Sequence, residues 1–341
     1  MRKVLAGFII SAIVLATSCK KEVVKQDITM VYPANFPPSV YNFSDNPITT
    51  AGFELGRKLF YDPRLSRDNT ISCGSCHQQF ASFVHAGHSV SHGIEDRLGT
   101  RNSPAIVNMA WSTHFFWDGG VHNLDLFPPS PIENHVEMDE SFSNVLNKLR
   151  QTSEYPALFK SAFGTEEINS VRFLQAMSQF MNRLVSANSR YDKYVRNEGE
   201  QLTPSELDGL LLFRAKCAAC HSTDLFTDGS FHNNGINATF SDSGRYRITL
   251  NYDDIGKFKT PTLRNIAKTA PYMHNGQFTT LERVLEHYNS GVRASATLDP
   301  LLNNNGIIGI PLTDDEKQKI IAFLQTLTDD EFLRDPRFSE Q

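Results

Sequence analysis

Cys73-Gly74-Ser75-Cys76-His77 and Cys217-Ala218-Ala219-Cys220-His221 are two copies of one pattern, C-x-x-C followed directly by histidine. Two thiols at this spacing can each form a thioether to a vinyl group of one porphyrin. The next residue then presents its imidazole to the iron from the same side, which makes the pattern the signature of c-type haem attachment. A zinc site would need four ligands, and a histidine directly after the cysteine is a poor one. A redox dithiol has no use for the histidine. The chain has five cysteines, and the fifth is Cys19 near the N-terminus. None is left over for a structural disulfide. The sequence therefore predicts two covalent haems c, one on Cys73, Cys76 and His77 and one on Cys217, Cys220 and His221.

Outward from these motifs the chain repeats itself. Pro104, Asn108, Ala110, Gly119 and Leu124 recur as Pro261, Asn265, Ala267, Gly276 and Leu281 at a constant offset of 157 residues. Phe115 aligns with Tyr272, Asp118 with Asn275 and Asp125 with Glu282. A duplicated block with two attachment motifs implies two homologous domains, each around one haem. Helix signals dominate. Thr203-Pro204-Ser205-Glu206 is a capping box with proline in the first turn, opening a helix that runs into the second motif. Thr313 and Glu316 form another box before Ile320, Ile321, Phe323, Leu324 and Leu327. Val171, Leu174, Met177, Met181 and Leu184 have helical spacing over 167–186, a segment expected to link the halves. Alternating runs are few, so the predicted fold class is all-α, with two domains, 46–190 and 191–341, each around one covalently bound haem.

The N-terminus has another purpose. Arg2 and Lys3 precede an apolar stretch from Val4 to Ala16, followed by Thr17, Ser18 and Cys19. This reads as a secretory signal over 1–18, too short to span a bilayer as a mature helix. Cys19 resembles the acylated cysteine of a bacterial lipobox, although Leu15 stands one place further away than in the commonest pattern; a plain signal peptide is the alternative. Residues 19–45, with Pro33, Pro37 and Pro38, have no helical period and read as a tether. The expected location is the periplasm or cell envelope, with membrane contact only through the N-terminal lipid. Net charge is −5 and no basic run appears, so nucleic-acid binding has no electrostatic support.

Over residues 48–328 the chain resembles the bacterial di-haem cytochrome c peroxidases, including the MauG branch. The attachment motifs carry the resemblance together with Arg101-Asn102-Ser103-Pro104, Phe115-Phe116-Trp117-Asp118-Gly119 and Glu137-Met138. Pro261-Thr262-Leu263-Arg264-Asn265 and Ala270-Pro271-Tyr272-Met273-His274-Asn275-Gly276 extend it. The resemblance implies two cytochrome-c-like domains, in which the N-terminal haem meets peroxide and the C-terminal haem relays electrons, with His77 and His221 as proximal ligands.

It also implies roles for further residues. The distal ligand of the C-terminal iron falls on Tyr288, as in MauG-like members, where most peroxidases of the family have methionine; Met273 is the alternative. The repeat offset carries Tyr288 to Pro131, which has no donor atom and leaves the N-terminal iron open. A histidine from the loop holding His85, His88 and His92 can close that iron at rest, and His92 fits best. Glu137 matches the family's distal carboxylate, a general acid–base for peroxide. Phe127 stands where many relatives have glutamine. Trp117 matches the residue between the haems. Asn102, Thr269 and Pro271 match positions that bind calcium.

Three functions are compatible with these residues. The leading one is reduction of hydrogen peroxide to water with electrons from a small cytochrome c or a cupredoxin. A MauG-like oxidase acting on an organic or protein substrate is the second. Tyr288 favours it, but Ala215 stands where MauG has a surface tryptophan. A di-haem electron carrier without catalysis is the third, and Pro131 and Glu137 speak against it. The sequence leaves the donor and a homodimer open.

Overall fold

A computed structural model describes residues 28–341. The segment read as a signal peptide, and Cys19, lie outside them. The described chain is mostly helical. Its only regular strands are two-residue antiparallel pairs, Phe231–His232 with Phe258–Lys259 and Asn303–Asn304 with Ile307–Ile308.

The repeat read from the sequence is present in the backbone. Asn108 and Asn265 both adopt left-handed φ (55° and 59°) and open a short 3-10 turn. Phe116 and Met273, also offset by 157, have φ of 64° and 74°. Phe115 bridges Val121 as Tyr272 bridges Phe278. Asparagine tolerates positive φ because its short amide can bond locally. For Phe116 and Met273 the same conformation is costly, and the surrounding fold must impose it.

Each half is also built on one helix crossing. Thr50–Phe60 packs on Ser170–Arg183, and Pro204–Lys216 packs on Asp314–Gln325. Glycine makes both close: a Cβ on Gly56 would strike the carbonyl oxygen of Ala176, and one on Gly209 that of Lys319. The first crossing is filled by Phe53, Leu59, Phe60, Phe173, Met177 and Phe180, and the second by Leu210, Phe213, Ile320, Phe323 and Leu324. Both predicted capping boxes form, at Thr203 with Glu206 and at Thr313 with Glu316.

Three expectations need correction. The helix Ser170–Arg183 is not a link between halves. It is half of the first crossing, with Leu174, Met177 and Met181 buried and Val171 exposed. Residues 28–45 are not a loose tether. Ile28 joins the first core, Tyr41 Oη donates to Asp125 at 2.7 Å, and Asn35 Nδ2 donates to Asp192 at 2.9 Å. Phe36 packs edge-on against Trp111 and under the Arg264 guanidinium. Finally, the chain end does not stay with the C-terminal half. Phe332, Leu333 and Phe338 enter the first core, Phe338 against Phe53 and Phe332 against Phe83. Tyr61 Oη donates to the Phe338 carbonyl at 2.8 Å. Apolar residues beyond a C-terminal helix go where uncovered apolar surface remains, and sequence order does not say where that is.

No helix among the described residues is long and apolar enough to cross a membrane.

Candidate active site

The sequence places each attachment motif at a helix end or turn. Cys73–Cys76 is a single helical turn capped by Ser72, and Cys217 caps the helix Pro204–Lys216. Gly74 is required there, because a Cβ would enter the ring of Tyr61. The two histidines are then fixed in the same way. His77 Nδ1 lies 2.7 Å from the carbonyl oxygen of Phe83, and His221 Nδ1 lies 3.0 Å from that of Phe226. A carbonyl only accepts, so each Nδ1 carries the proton and each Nε2 keeps its lone pair. Burial lowers both, His77 to about 4, so both rings are neutral. A neutral imidazole tied back at Nδ1 is the form that ligates a metal.

Each motif faces its own cavity. The first, of about 680 Å³, is walled by Cys73, Cys76, His77, Trp117, Pro131 and Glu137. The second, of about 230 Å³, is walled by Cys217, Cys220, His221, Met273, Tyr288 and again Trp117. Paired thiols and a lone-pair imidazole opening into a largely apolar cavity are the donor set and the space that a covalently attached haem requires.

In the first cavity the candidate distal groups differ in character. Pro131 sits in the short helix Pro129–Glu133 and offers no ligand. Glu137 is pushed up to about 7 by burial, opposed by Asn134, whose Nδ2 donates to Oε1 at 3.0 Å. Phe127 stacks on Phe116 at 4.5 Å and adds only apolar surface. Of the three loop histidines His92 alone lines this cavity. His88 stands behind it, 4.6 Å between ring centres, and His85 stacks on His88 at 4.0 Å.

In the second cavity Tyr288 and Met273 both face inward. Tyr288 sits in a π-helical turn, His287–Gly291, that follows the helix Leu281–Glu286; such turns re-aim side chains at functional sites. Burial pushes its phenol up to about 12, so its oxygen ionises there only with a cation to hold it. Asn234 Nδ2 donates to Met273 Sδ at 3.3 Å.

Trp117 is held between the cavities at both ends. Its Nε1 donates to the Asn102 carbonyl at 2.8 Å, and its own carbonyl accepts from Lys259 N at 2.7 Å. Trp111, the chain's other tryptophan, is half-buried and lines neither haem-motif cavity, with Nε1 donating to the Pro37 carbonyl at 2.7 Å. Asn102, Thr269 and Pro271 all line the second cavity. The Asn102 amide Nδ2 is occupied by the carbonyls of His88 and Ser89, which leaves Oδ1 for a cation. Sequence reasoning missed Asn134. It also gave no role to the half-buried Arg101, which binds Asp118 at 2.6 Å and Asp242 at 2.7 Å and so ties the halves together. Neither pairing is marked by residue type or spacing.

A family profile described as di-haem cytochrome c peroxidase matches residues 50–200. The methylamine utilization protein MauG of Methylorubrum extorquens is 34% identical over 306 residues, covering 85% of this chain and 82% of that protein. The chain belongs to the di-haem cytochrome c peroxidase family. This makes it a peroxidase-type oxidoreductase. The cytochrome c551 peroxidase of Nitrosomonas europaea is 33% identical over 284 residues, covering 82% of this chain and 80% of its own. Among solved structures, a MauG-like protein associated with microbial copper homeostasis superimposes with a TM-score of 0.81 at 35% identity, over 90% of this chain and 97% of that one.

Proposed function

We propose that this family member reduces hydrogen peroxide in the His77 cavity and draws the electrons through the His221 cavity. The observation that carries the reading is the asymmetry between two otherwise repeated sites. The first has Pro131 where the second has Tyr288, and it alone has a half-buried carboxyl poised near neutrality, Glu137.

Two haems c, bound through Cys73 and Cys76 and through Cys217 and Cys220, with His77 and His221 as proximal ligands, would supply the redox chemistry that cleaves the peroxide bond. The chain does the rest. Glu137 accepts the proton of the proximal peroxide oxygen and returns it to the distal oxygen, so the departing oxygen leaves as water. Asn134 holds the carboxylate while it is charged. Pro131 and Phe127 keep that side apolar and free of competing ligands, with His92 as the group that closes the cavity at rest. Trp117 offers an oxidisable indole in the wall that both cavities share. Tyr288, a hard oxygen donor, favours the oxidised state of the second site more than methionine would. Calcium at Asn102, Thr269 and Pro271 would brace the wall between them.

Tyr288 also favours a second reading, peroxide-driven oxidation of an organic or protein substrate. Ala215 removes one exit for oxidising equivalents, which leaves a diffusible donor, a small cytochrome c or a cupredoxin, as the better fit. The periplasm, with a lipid at Cys19, is the compartment in which such donors and covalent haem attachment occur together.

The test has two parts. Mass spectrometry of denatured protein should find two haems retained per chain. Stopped-flow mixing with peroxide should then show a fast first reaction at one site and a later change at the other. A chain with two haems that does not react with peroxide is an electron carrier, and the reading fails.

A further inference from the structure

The cations that wall the His221 cavity are, with one exception, accounted for. Lys216 pairs with Glu316 at 2.9 Å, and Arg264 pairs with Asp192 at 2.5 Å. His232 lies between Asp228 at 2.8 Å and Asp299 at 2.5 Å. His274 is neutral, because burial lowers it to about 4 and its ring lies flat on Phe258 at 3.6 Å.

Lys259 is the exception. No carboxylate pairs with its ammonium among the described residues, and burial alone, opposed by no anion, pushes it down to about 8. Its backbone is pinned twice, by pairing with Phe231 and by the N–H bond to the Trp117 carbonyl. Lys259 lines both the His221 cavity and a smaller cavity of about 80 Å³ beside Trp117. A cation drawn out of water with no anion is unstable, and proteins keep such groups only where a partner of opposite charge arrives. The described residues supply none here. Haem c brings two propionate carboxylates, its only anionic substituents.

We propose that Lys259 is the counter-cation for a propionate of the haem held at the His221 cavity, on the side walled by Trp117. This rests on the reading that the cavity holds haem c. Lys259 is then a positioning residue with an electrostatic effect. Its fixed positive charge favours the reduced state of the relay site, offsetting the Tyr288 oxygen, and it orders the wall through which Trp117 connects the sites.

The experiment is an optical redox titration of the full-length holoprotein, with Lys259→Met and Lys259→Arg beside the parent and haem content read by mass. The expected result is two haems in all three proteins and a lower reduction potential at the His221 site in Lys259→Met. Lys259→Arg should stay near the parent, and the His77 site should move less. Resonance Raman should show the propionate bending band of the relay haem displaced in Lys259→Met only. Two haems with an unmoved potential and an unmoved band overturn this inference and leave the proposed function standing. A parent chain without haem on Cys217 and Cys220 overturns both. If Lys259→Met does not accumulate, Lys259→Gln takes its place in the same comparison, with the same outcomes deciding.

Discussion

Asn134 Nδ2 donates to Glu137 Oε1 at 3.0 Å, across the turn that follows the helix Pro129–Glu133, and this is the bond that favours the charged form of a carboxyl otherwise disfavoured by burial. The pair sets the pH at which the first cavity holds a base. With Glu137 at about 7, the carboxylate that accepts the peroxide proton is formed as pH rises through neutrality. The peroxide reaction should therefore accelerate with pH around 7 and level off above it. Asn134→Ala should move that midpoint upward, as a pH series of stopped-flow rates would show. A midpoint that stays in place would mean the bond does not tune Glu137.

Glu137→Gln should slow the first reaction with peroxide by a factor of about 10² to 10⁴, the usual loss when a general acid–base is removed. The same substitution should change stability in the opposite sense. A folded pKa raised from 4.5 to about 7 means that folding favours the protonated carboxyl. That contribution is complete below the unfolded value and is lost as pH rises through the folded one. Glutamine mimics the protonated form, so Tm of Glu137→Gln should exceed the parent's near pH 8 and match it near pH 4. Equal peroxide rates in the two proteins would remove the acid–base role.

At the second cavity, Tyr288→Phe should abolish the low-spin signal of the relay site in EPR and leave the His77 site unchanged. Met273→Ala should leave both signals, since Asn234 already engages Met273 Sδ. The reverse pattern would make Met273 the ligand and return the relay site to the histidine–methionine class.

Trp117→Phe should preserve the first peroxide reaction but retard the later change at the His221 site, because phenylalanine is harder to oxidise than indole. Stopped-flow spectra resolve the two phases. Unchanged timing of the second phase would show that electrons cross elsewhere.

The helix crossings predict stability. Gly209→Ala places a Cβ against the Lys319 carbonyl, and Gly56→Ala places one against Ala176. Each should cost about 1–3 kcal/mol, the usual penalty for overpacking, seen as a lower Tm with haem content preserved. An unshifted Tm would mean that the helices separate freely at these points.

The sequence by itself determined what is local or periodic. Cys73–His77 and Cys217–His221 specify their chemistry through spacing along the chain, which no folding event can change. The duplication was legible for the same reason, and the capping boxes at Thr203 and Thr313 because their partners are three residues apart. What only the tertiary structure decided depends on groups distant in the chain. The return of Phe332 and Phe338 to the first core is one case, and the packing of residues 28–45 is another. That Trp117 walls both cavities is a third, and the lack of a carboxylate partner for Lys259 among the described residues is a fourth. Burial and charge pairing are properties of a three-dimensional neighbourhood, and a lysine or a glutamate carries no mark in the sequence of which neighbours it will have.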